Sequence, residues 1–286
     1  EAHSAHEGDI LAFLPGEAEI RRCVEILGVS LGATRVLPLY GMLTSDEQRE
    51  AIAPSRAGER KVVLATPIAE TSITIEGVRV VVDSGLCRKM VFDPESGLSR
   101  LETVRISKDM AAQRAGRAGR VAPGVCYRLW SLATESLMAE NRRPEILDAD
   151  LAPVLLDILS WGGTGIGSLP WLTPPPPYGV SRASALLETL GAADAEGRIT
   201  TTGRKMAAYP CHPRIASMFL RASSAEEKSL AADIAALLEE RDPLPDEGSD
   251  IGIRIAALHS AHGARWSRIR RAAGQYRRIA GAAEAA

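Results

Sequence analysis

The amino-acid sequence predicts an α/β domain built on a parallel sheet with helices on both faces, followed by a region made of helices. Short runs at residues 61–65 and 78–83 are rich in Val, as is typical of strands buried on both faces. Segments with helical spacing of apolar residues lie between such runs, and this alternation indicates βαβ units. From residue 204 onward the pattern is helical.

The first strand and helix are predicted from the change of pattern at Pro15 and Gly16. Residues 9–14 form a short apolar run that these turn residues interrupt, and residues 17–27 then show helical periodicity. Residues 35–40 form the next candidate strand. Thr44 can cap the helix that follows, because Glu47 stands three residues after it as in a capping box.

Two strand candidates further along flank a turn. Residues 88–92 and 100–106 are strand-like, and the segment between them, DPESG, is rich in turn residues. We therefore expect a hairpin here. Ser107 is the expected cap of the next helix, and residues 124–130 return to a strand pattern.

The run QRAGRAGR at residues 113–120 carries the strongest functional signal. Arg114, Arg117 and Arg120 are three residues apart, and glycine recurs at the same spacing. If the run is helical, the guanidinium groups project together, and each can grip two oxygens of a triphosphate or of a nucleic acid. The alternative is a solvated basic helix face, which would rarely need two regularly placed glycines.

The rest of the chain is predicted to be helical apart from one short β wing. Residues 151–161 and 181–190 indicate helices, the proline-rich residues 170–177 an extended segment, and residues 197–203 the wing. Helices are also expected at residues 215–222, 225–240, 251–261 and 264–279. The last of these interleaves arginines with Trp266 and Tyr276. It could bind a nucleic-acid backbone and stack on bases, or be a charged face with two apolar anchors.

Composition excludes several classes of protein. The net charge of -2 gives no global nucleic-acid signal, so a basic binding surface would have to be local. The four cysteines are widely spaced and form no C-x-x-C pair, which argues against a metal site or a disulfide framework. With no signal peptide and no long apolar run, the sequence favours a cytoplasmic location and no membrane partner.

Three segments resemble motifs of a known family. QRAGRAGR resembles motif VI of the DEAH-box helicases of superfamily 2, ATPIAETSITIEG at residues 65–77 is similar to motif V, and FLPG at residues 13–16 resembles motif IV. The resemblance extends along nearly the whole chain. It implies a second RecA-like domain in residues 1–138, a winged-helix domain in 139–203 and a ratchet-like helical bundle in 204–286.

Two further motifs of the family are absent from the sequence. There is no G-x-x-x-x-G-K-[ST] phosphate loop and no D-E-x-H segment, both of which lie on the first RecA-like domain in this family. The chain also begins at Glu1 rather than at Met. We therefore expect a fragment that lacks the first RecA-like domain, with that missing N-terminal domain as its partner.

The resemblance implies catalytic roles for three residues. Arg117 and Arg120 would be finger arginines that face the γ-phosphate, and Gln113 would position the phosphate or the attacking water. The implied cofactors are ATP and magnesium, with the magnesium ligands supplied mainly by the missing first domain.

The resemblance also implies contacts with nucleotide and RNA. Thr74 and Glu76 would lie at the nucleotide, and Ser72 would link the nucleotide state to domain position. Thr66 would touch the backbone of RNA, as a single strand or at a duplex junction, although Pro67 stands where the family usually has Asn. The hairpin between motifs V and VI would act as a wedge at the duplex junction; a plain extension of the sheet is the alternative.

The expected function is that of the C-terminal half of an ATP-dependent RNA helicase motor, which couples NTP hydrolysis to RNA translocation or unwinding. The fragment alone is predicted to be inactive, because it lacks the lysine and the magnesium ligands that hold the phosphates. The alternative is a non-catalytic nucleic-acid-binding or adaptor module derived from a helicase.

Overall fold

The chain folds into two compact units, Glu1–Ala149 and Asp150–Ala286. This computed structural model describes residues 1–281 except 57, 71–72, 94–97, 121 and 241. The first unit is α/β and the second is helical, as the sequence predicts.

The described part of the first unit contains strands, α-helices and two short 3-10 turns. The strands are β1 (Asp9–Phe13), β2 (Arg35–Leu39), β3 (Lys61–Ala65), β4 (Val78–Asp83), β5 (Leu86–Asp93), β6 (Leu98–Arg105) and β7 (Val125–Arg128). The helices are α1 (Ala2–Ala5), α2 (Glu17–Ser30), α3 (Ser45–Ile52), α4 (Lys108–Ala115) and α5 (Leu132–Ser136). The 3-10 turns are Pro67–Ala69 and Glu145–Leu147.

The main sheet of the first unit is parallel, which confirms the predicted fold class. Its described strands run in the order β2-β3-β1-β4-β7. The central strand β1 places Ile10 opposite Val62 of β3 and Val80 of β4. The predicted capping box also forms, with the Thr44 hydroxyl accepting from the Glu47 N–H.

Helices pack on both faces of this sheet because successive side chains of a strand point to opposite faces. On one face of the sheet, Ile10, Val62, Leu64 and Val80 pack against Ile20 of α2. On the other face, strand residues that include Leu11, Phe13, Val63, Ala65 and Val81 pack against Ala51 of α3 and Ala118. The sheet is therefore buried on both sides, which explains its almost continuous apolar runs.

Strands β5 and β6 form the predicted antiparallel hairpin. They pair from Leu86 opposite Arg105 to Asp93 opposite Leu98, which is longer than the sequence indicated. Lys89 on β5 forms an ion pair of 2.5 Å with Asp148 of the same unit. The connecting residues 94–97 lie outside the described part of the chain.

The second unit is built from helices. They are α6 (Ala152–Ser160), α7 (Pro177–Thr189), α8 (Thr201–Ala207), α9 (Pro213–Arg221), α10 (Ala225–Glu239), α11 (Ile251–Ser260) and α12 (Ala264–Ala280), with a 3-10 turn at Ile166–Ser168. Helix α7 begins at Pro177, four residues before the predicted start. Proline suits the first turn of a helix, where its missing N–H has no partner to lose.

The predicted wing at residues 197–203 is reduced to one bridge between Ala193 and Ile199. Helix α8 begins inside the predicted wing, because the Thr200 hydroxyl accepts a 2.9 Å hydrogen bond from the N–H of Gly203. A Cβ on Gly203 would lie 2.1 Å from the carbonyl oxygen of Ala192. Only glycine therefore fits where the helix passes this close to the chain before it.

Of the interleaved aromatic residues of α12, Tyr276 lies in the core of the second unit and Trp266 packs against it. Tyr276 is buried and stacks on Phe219, with 5.5 Å between ring centroids, and Trp266 packs beside Ile269. Several arginines of the helix bind within the unit: Arg268 pairs with Glu240, Arg270 donates to the carbonyls of Leu258 and Ala261, and Arg277 donates to Ser229 and Asp233. These contacts match the charged face with two apolar anchors.

None of the helices in the described part of the chain has both the length and the apolar character needed to cross a membrane.

Candidate nucleotide site

The carboxyl edge of the main sheet brings three chain segments together. Beyond the ends of the strands, the N–H of Leu14 donates to Ala65, the N–H of Thr66 donates to Leu39, and the N–H of Ser84 donates to Phe13, at 2.9–3.2 Å. In parallel sheets this is the edge at which ligands bind. Thr66, the predicted RNA contact, is half-buried there and opens the Pro67–Ala69 turn.

The run QRAGRAGR at residues 113–120 begins as a helix and continues as turns. Helix α4 ends at Ala115, and the N–H groups of Arg117 and Ala118 then donate to carbonyls three residues back. Ser107 precedes the helix as predicted, but its hydroxyl donates to the Asp109 carboxylate rather than accepting from a backbone N–H. The hydrogen bonds of Arg117 and Ala118 continue the chain as a tighter 3-10-type turn, in which residues three apart stay on one side.

The side chains of all three arginines contact motif V, at Glu70, Ile73 or Thr74, but they differ in burial. Arg114 points into the protein and is fully buried. Its Nε donates to Oε1 of Glu70 at 2.6 Å and its Nη1 to Oδ1 of Asp83 at 2.8 Å. Its Cζ lies 4.9 Å from the centre of the Phe13 ring, within cation-π range. Arg114 is therefore part of the core.

Arg117 is also buried, with 7% of its surface exposed. Its Nη1 donates to the carbonyl of Ile73 at 2.8 Å, and its Nη2 donates to the carbonyl of Glu70. The guanidinium thus bridges the backbone on either side of residues 71–72. Burial and the nearby charge of Arg120 lower the pKa of Arg117, but a guanidinium stays charged at neutral pH.

Arg120 lies in the turn after α4 and its side chain is exposed. Its Nη1 donates to the Thr74 hydroxyl at 2.8 Å, so the structure brings together two residues predicted for the same site. Gln113 and Glu76 are exposed as well. Ser72 lies outside the described residues. An exposed fork beside a hydroxyl fits the phosphates of a nucleotide, because guanidinium binds phosphate through two charge-assisted hydrogen bonds.

The two glycines of the run do not contact packed backbone. A Cβ on Gly119 would meet open space, and one on Gly116 would make ordinary contacts. The tight approach is at Gly124, where a Cβ would lie 2.2 Å from the carbonyl oxygen of Ala118. Gly124 therefore lets the chain entering β7 pass directly against the turn that carries Arg117 and Arg120.

The acidic residues that bind Arg114 were not among the residues predicted from the sequence. Glu70 and Asp83 are buried, and Glu70 also receives Nη2 of Arg142 on Oε2 at 2.7 Å. One signal was available in the sequence: Asp83 ends an otherwise apolar buried strand, and a carboxylate there needs a charged partner.

Magnesium ligands do not cluster in the part of the chain that the structure describes. No group of three His, Cys, Asp or Glu side chains there could hold a metal ion. The described residues therefore do not by themselves form a metal site.

Comparison with known proteins shows what this chain is similar to. Residues 1–122 match the helicase conserved C-terminal domain. The chain is 45% identical to the ATP-dependent RNA helicase HrpB of Escherichia coli (strain K12) over 250 residues, which is 87% of this chain and 30% of that protein.

Two crystal structures show the same fold. The E. coli DExH-box NTPase HrpB matches with a TM-score of 0.75 and 40% identity, over 98% of this chain and 34% of that one. The Escherichia coli DEAH/RHA helicase HrpB matches with a TM-score of 0.81 and 40% identity, over 97% and 34%.

The fold and the family match thus define a helicase conserved C-terminal domain in residues 1–122. The chain resembles the DEAH-box helicases of superfamily 2, and it spans about a third of the length of the relatives it matches.

Proposed function

We propose that this chain is the C-terminal half of an ATP-dependent RNA helicase motor, which couples NTP hydrolysis to RNA translocation or unwinding. The hydrogen bond between Arg120 and Thr74 carries the proposal, because it joins motifs V and VI through two exposed side chains. The 45% identity to an ATP-dependent RNA helicase supports it.

The proposed motor needs a second domain that carries a phosphate loop. Phosphoryl transfer depends on positioning and charge neutralisation rather than on covalent chemistry by the protein, so two domains can share the work. The partner domain would supply the lysine and most of the magnesium ligands, and this chain would supply arginines. Bound ATP supplies the γ-phosphoryl group. Closure of the two domains then assembles the site, and opening releases it.

Within this chain we assign catalytic roles to Arg117, Arg120 and Gln113. The exposed Arg120 fork can leave the Thr74 hydroxyl and bind phosphate oxygens as charge develops on them. Arg117 is the second finger, held by two backbone carbonyls. The exposed Gln113 amide can orient the phosphate or the attacking water.

The remaining assignments concern nucleotide and RNA. Ser72, Thr74 and Glu76 serve the nucleotide, and Thr66 binds the RNA backbone at the edge of the sheet. The β5–β6 hairpin is the wedge at a duplex junction.

We also propose domain boundaries after residues 138 and 203, giving a RecA-like domain, a winged-helix domain and a ratchet-like bundle.

The decisive experiment uses the protein in which this chain is joined to its phosphate-loop domain. ATP hydrolysis is measured with and without single-stranded poly(U), together with unwinding of an RNA duplex that has a single-stranded overhang. Hydrolysis stimulated by RNA, with ATP-dependent unwinding, is expected. RNA binding without hydrolysis would favour the adaptor module instead.

A further inference from the structure

We propose that Glu70 is a positioning residue that fixes the guanidinium of Arg117, and that Arg114 and Arg142 hold Glu70 in place. The inference deepens the proposed function and rests on it, because it assigns a task to a residue for which neither motif resemblance nor comparison suggests one.

The Glu70 carboxylate is held at both oxygens. Nε of Arg114 donates to Oε1 at 2.6 Å and Nη2 of Arg142 donates to Oε2 at 2.7 Å. The Glu70 side chain is 2% exposed, so water does not compete for either oxygen. A carboxylate bound by two guanidinium groups from different directions can neither rotate nor move away from them.

The main chain of Glu70 carries this restraint to Arg117. The carbonyl of Glu70 accepts from Nη2 of Arg117, while Nη1 of the same guanidinium donates to Ile73 at 2.8 Å. The carbonyl and the carboxylate belong to one residue, so fixing the side chain also fixes the acceptor.

The contacts form a closed ring. The N–H of Arg117 donates to the carbonyl of Arg114 at 3.0 Å, and the side chain of Arg114 returns to Glu70. At Glu70, motif V and motif VI are thus joined twice, once through the carboxylate and once through the carbonyl. Such a ring sets both the place and the orientation of the Arg117 fork, as a preorganised catalytic group requires.

The network is made of buried ion pairs, although apolar side chains could fill the same space. Arg114 lies between Glu70 and Asp83, and all three are buried. Buried ion pairs contribute little net stability compared with well-packed apolar side chains, but they are directional. We infer that direction is what this site needs, since an apolar core would not orient a backbone carbonyl toward Arg117.

A substitution at Arg142 can weaken the network without leaving a cavity in the core, because the Arg142 side chain is 50% exposed. Arg143 provides the matched control: it is adjacent and exposed, and it pairs with Asp148 at 3.0 Å instead of Glu70. Arg142→Gln and Arg143→Gln therefore remove the same charge from neighbouring positions, and only the first removes a contact to Glu70.

The test measures kcat and KM for ATP at saturating poly(U), in the protein joined to its phosphate-loop domain. Glu70→Gln, Arg142→Gln and Arg143→Gln are each made in the parent and in an Arg117→Ala background. Glu70→Gln should lower kcat roughly 10²-fold with little change in KM, as for a misplaced catalytic group. Arg142→Gln should lower kcat about tenfold, and Arg143→Gln should leave it unchanged.

The Arg117→Ala background separates positioning from general support of the fold. If Glu70 acts through Arg117, Glu70→Gln and Arg142→Gln should cause no further loss of kcat there, because effects of residues that act as a unit do not add. Equal losses in both backgrounds, or an unchanged kcat in the parent, would overturn the inference. Should Glu70→Gln fail to fold by circular dichroism, Arg142→Gln decides alone.

The proposed function fails in a different way. If Arg117→Ala and Arg120→Ala both leave hydrolysis unchanged, the finger assignment is wrong and the positioning role falls with it. If both lower hydrolysis while Glu70→Gln and Arg142→Gln do not, the fingers stand and only the positioning role is wrong.

Discussion

The Nη1 of Arg120 donates a hydrogen bond of 2.8 Å to the Thr74 hydroxyl, joining the turn after α4 to the loop before β4. Both side chains are exposed. A hydrogen bond between a guanidinium and a neutral hydroxyl in contact with water contributes only about 1 kcal/mol. A phosphate, which accepts two charge-assisted hydrogen bonds from the fork, should displace the hydroxyl.

Loss of the Arg120 fork should therefore affect chemistry more than folding. In the protein joined to its phosphate-loop domain, Arg120→Ala should lower RNA-stimulated ATP hydrolysis by roughly 10³-fold, as expected for an arginine finger. Arg120→Lys should rescue poorly, because an ammonium cannot form the fork. Steady-state kinetics and thermal melting of both variants check this. Near-normal turnover by the alanine variant would show that Arg120 is not a finger.

The chain by itself should not hydrolyse ATP. Its sequence contains no phosphate loop, so neither the lysine nor the backbone cradle for the phosphates is present. Its affinity for ATP should be weak for the same reason. The measurement is phosphate release by the purified chain, with the Arg120→Ala variant as the control for a contaminating ATPase. Turnover that disappears in this variant would contradict the prediction.

Shortening the hairpin should separate unwinding from hydrolysis. Residues 94–97 can be replaced by Asn-Gly, a two-residue turn that suits antiparallel strands such as β5 and β6. If the hairpin is a wedge, unwinding of an RNA duplex should fall at least about tenfold while RNA-stimulated hydrolysis persists, because Arg120 and Thr74 are left intact. Unwinding at the parent rate would show that the hairpin is not a wedge.

The second unit should lose stability in acid through Asp150. Burial raises the pKa of this carboxyl, but hydrogen bonds from His212 and the Ala152 N–H and the charge of Arg214 outweigh it, so its pKa lies below the usual value. A carboxyl whose pKa is lowered by folding stabilises the folded state fully at pH values above its pKa in the unfolded chain, about 3.9. This contribution is lost as pH falls through the pKa of the folded state.

Asp150→Asn should accordingly lower the free energy of unfolding at pH 7 by about 1 kcal/mol. The difference from the parent should shrink as pH falls below about 3.9, where the unfolded carboxyl becomes protonated. Urea unfolding of both proteins at several pH values, followed by circular dichroism, measures this. A difference that stays constant through the acid range would mean that ionisation of Asp150 does not contribute.

Local patterns in the sequence predicted the sheet well, because strands such as β3 and β4 are buried on both faces and consist mostly of apolar residues. The end of α4 at Ala115 had one local signal, because Gly116 follows it and glycine is common where helices end. The turn that follows is held by tertiary contacts. Arg117 binds carbonyls 44 and 47 residues away in the chain, and no local pattern reports such partners.

The direction of Arg114 was hidden for the same reason. Its partners Glu70 and Asp83 stand 44 and 31 residues earlier, so only the folded sheet brings them to one guanidinium. Resemblance to a family identified Arg117, Arg120 and Thr74 as members of one site, but it did not distinguish an arginine inside the core from one at the surface. Their relative exposure required the structure.

The burial of Arg114 also bears on how this domain can change during evolution or recombination. Phe13, Glu70 and Arg114 belong to three motifs far apart in the chain, yet all three meet at one guanidinium. A chimera that imports one of these motifs from a distant relative would leave an unmatched charge or an ill-fitting ring in the core. We therefore expect a chimera to fold only when the three segments and Asp83 are all taken from the same parent.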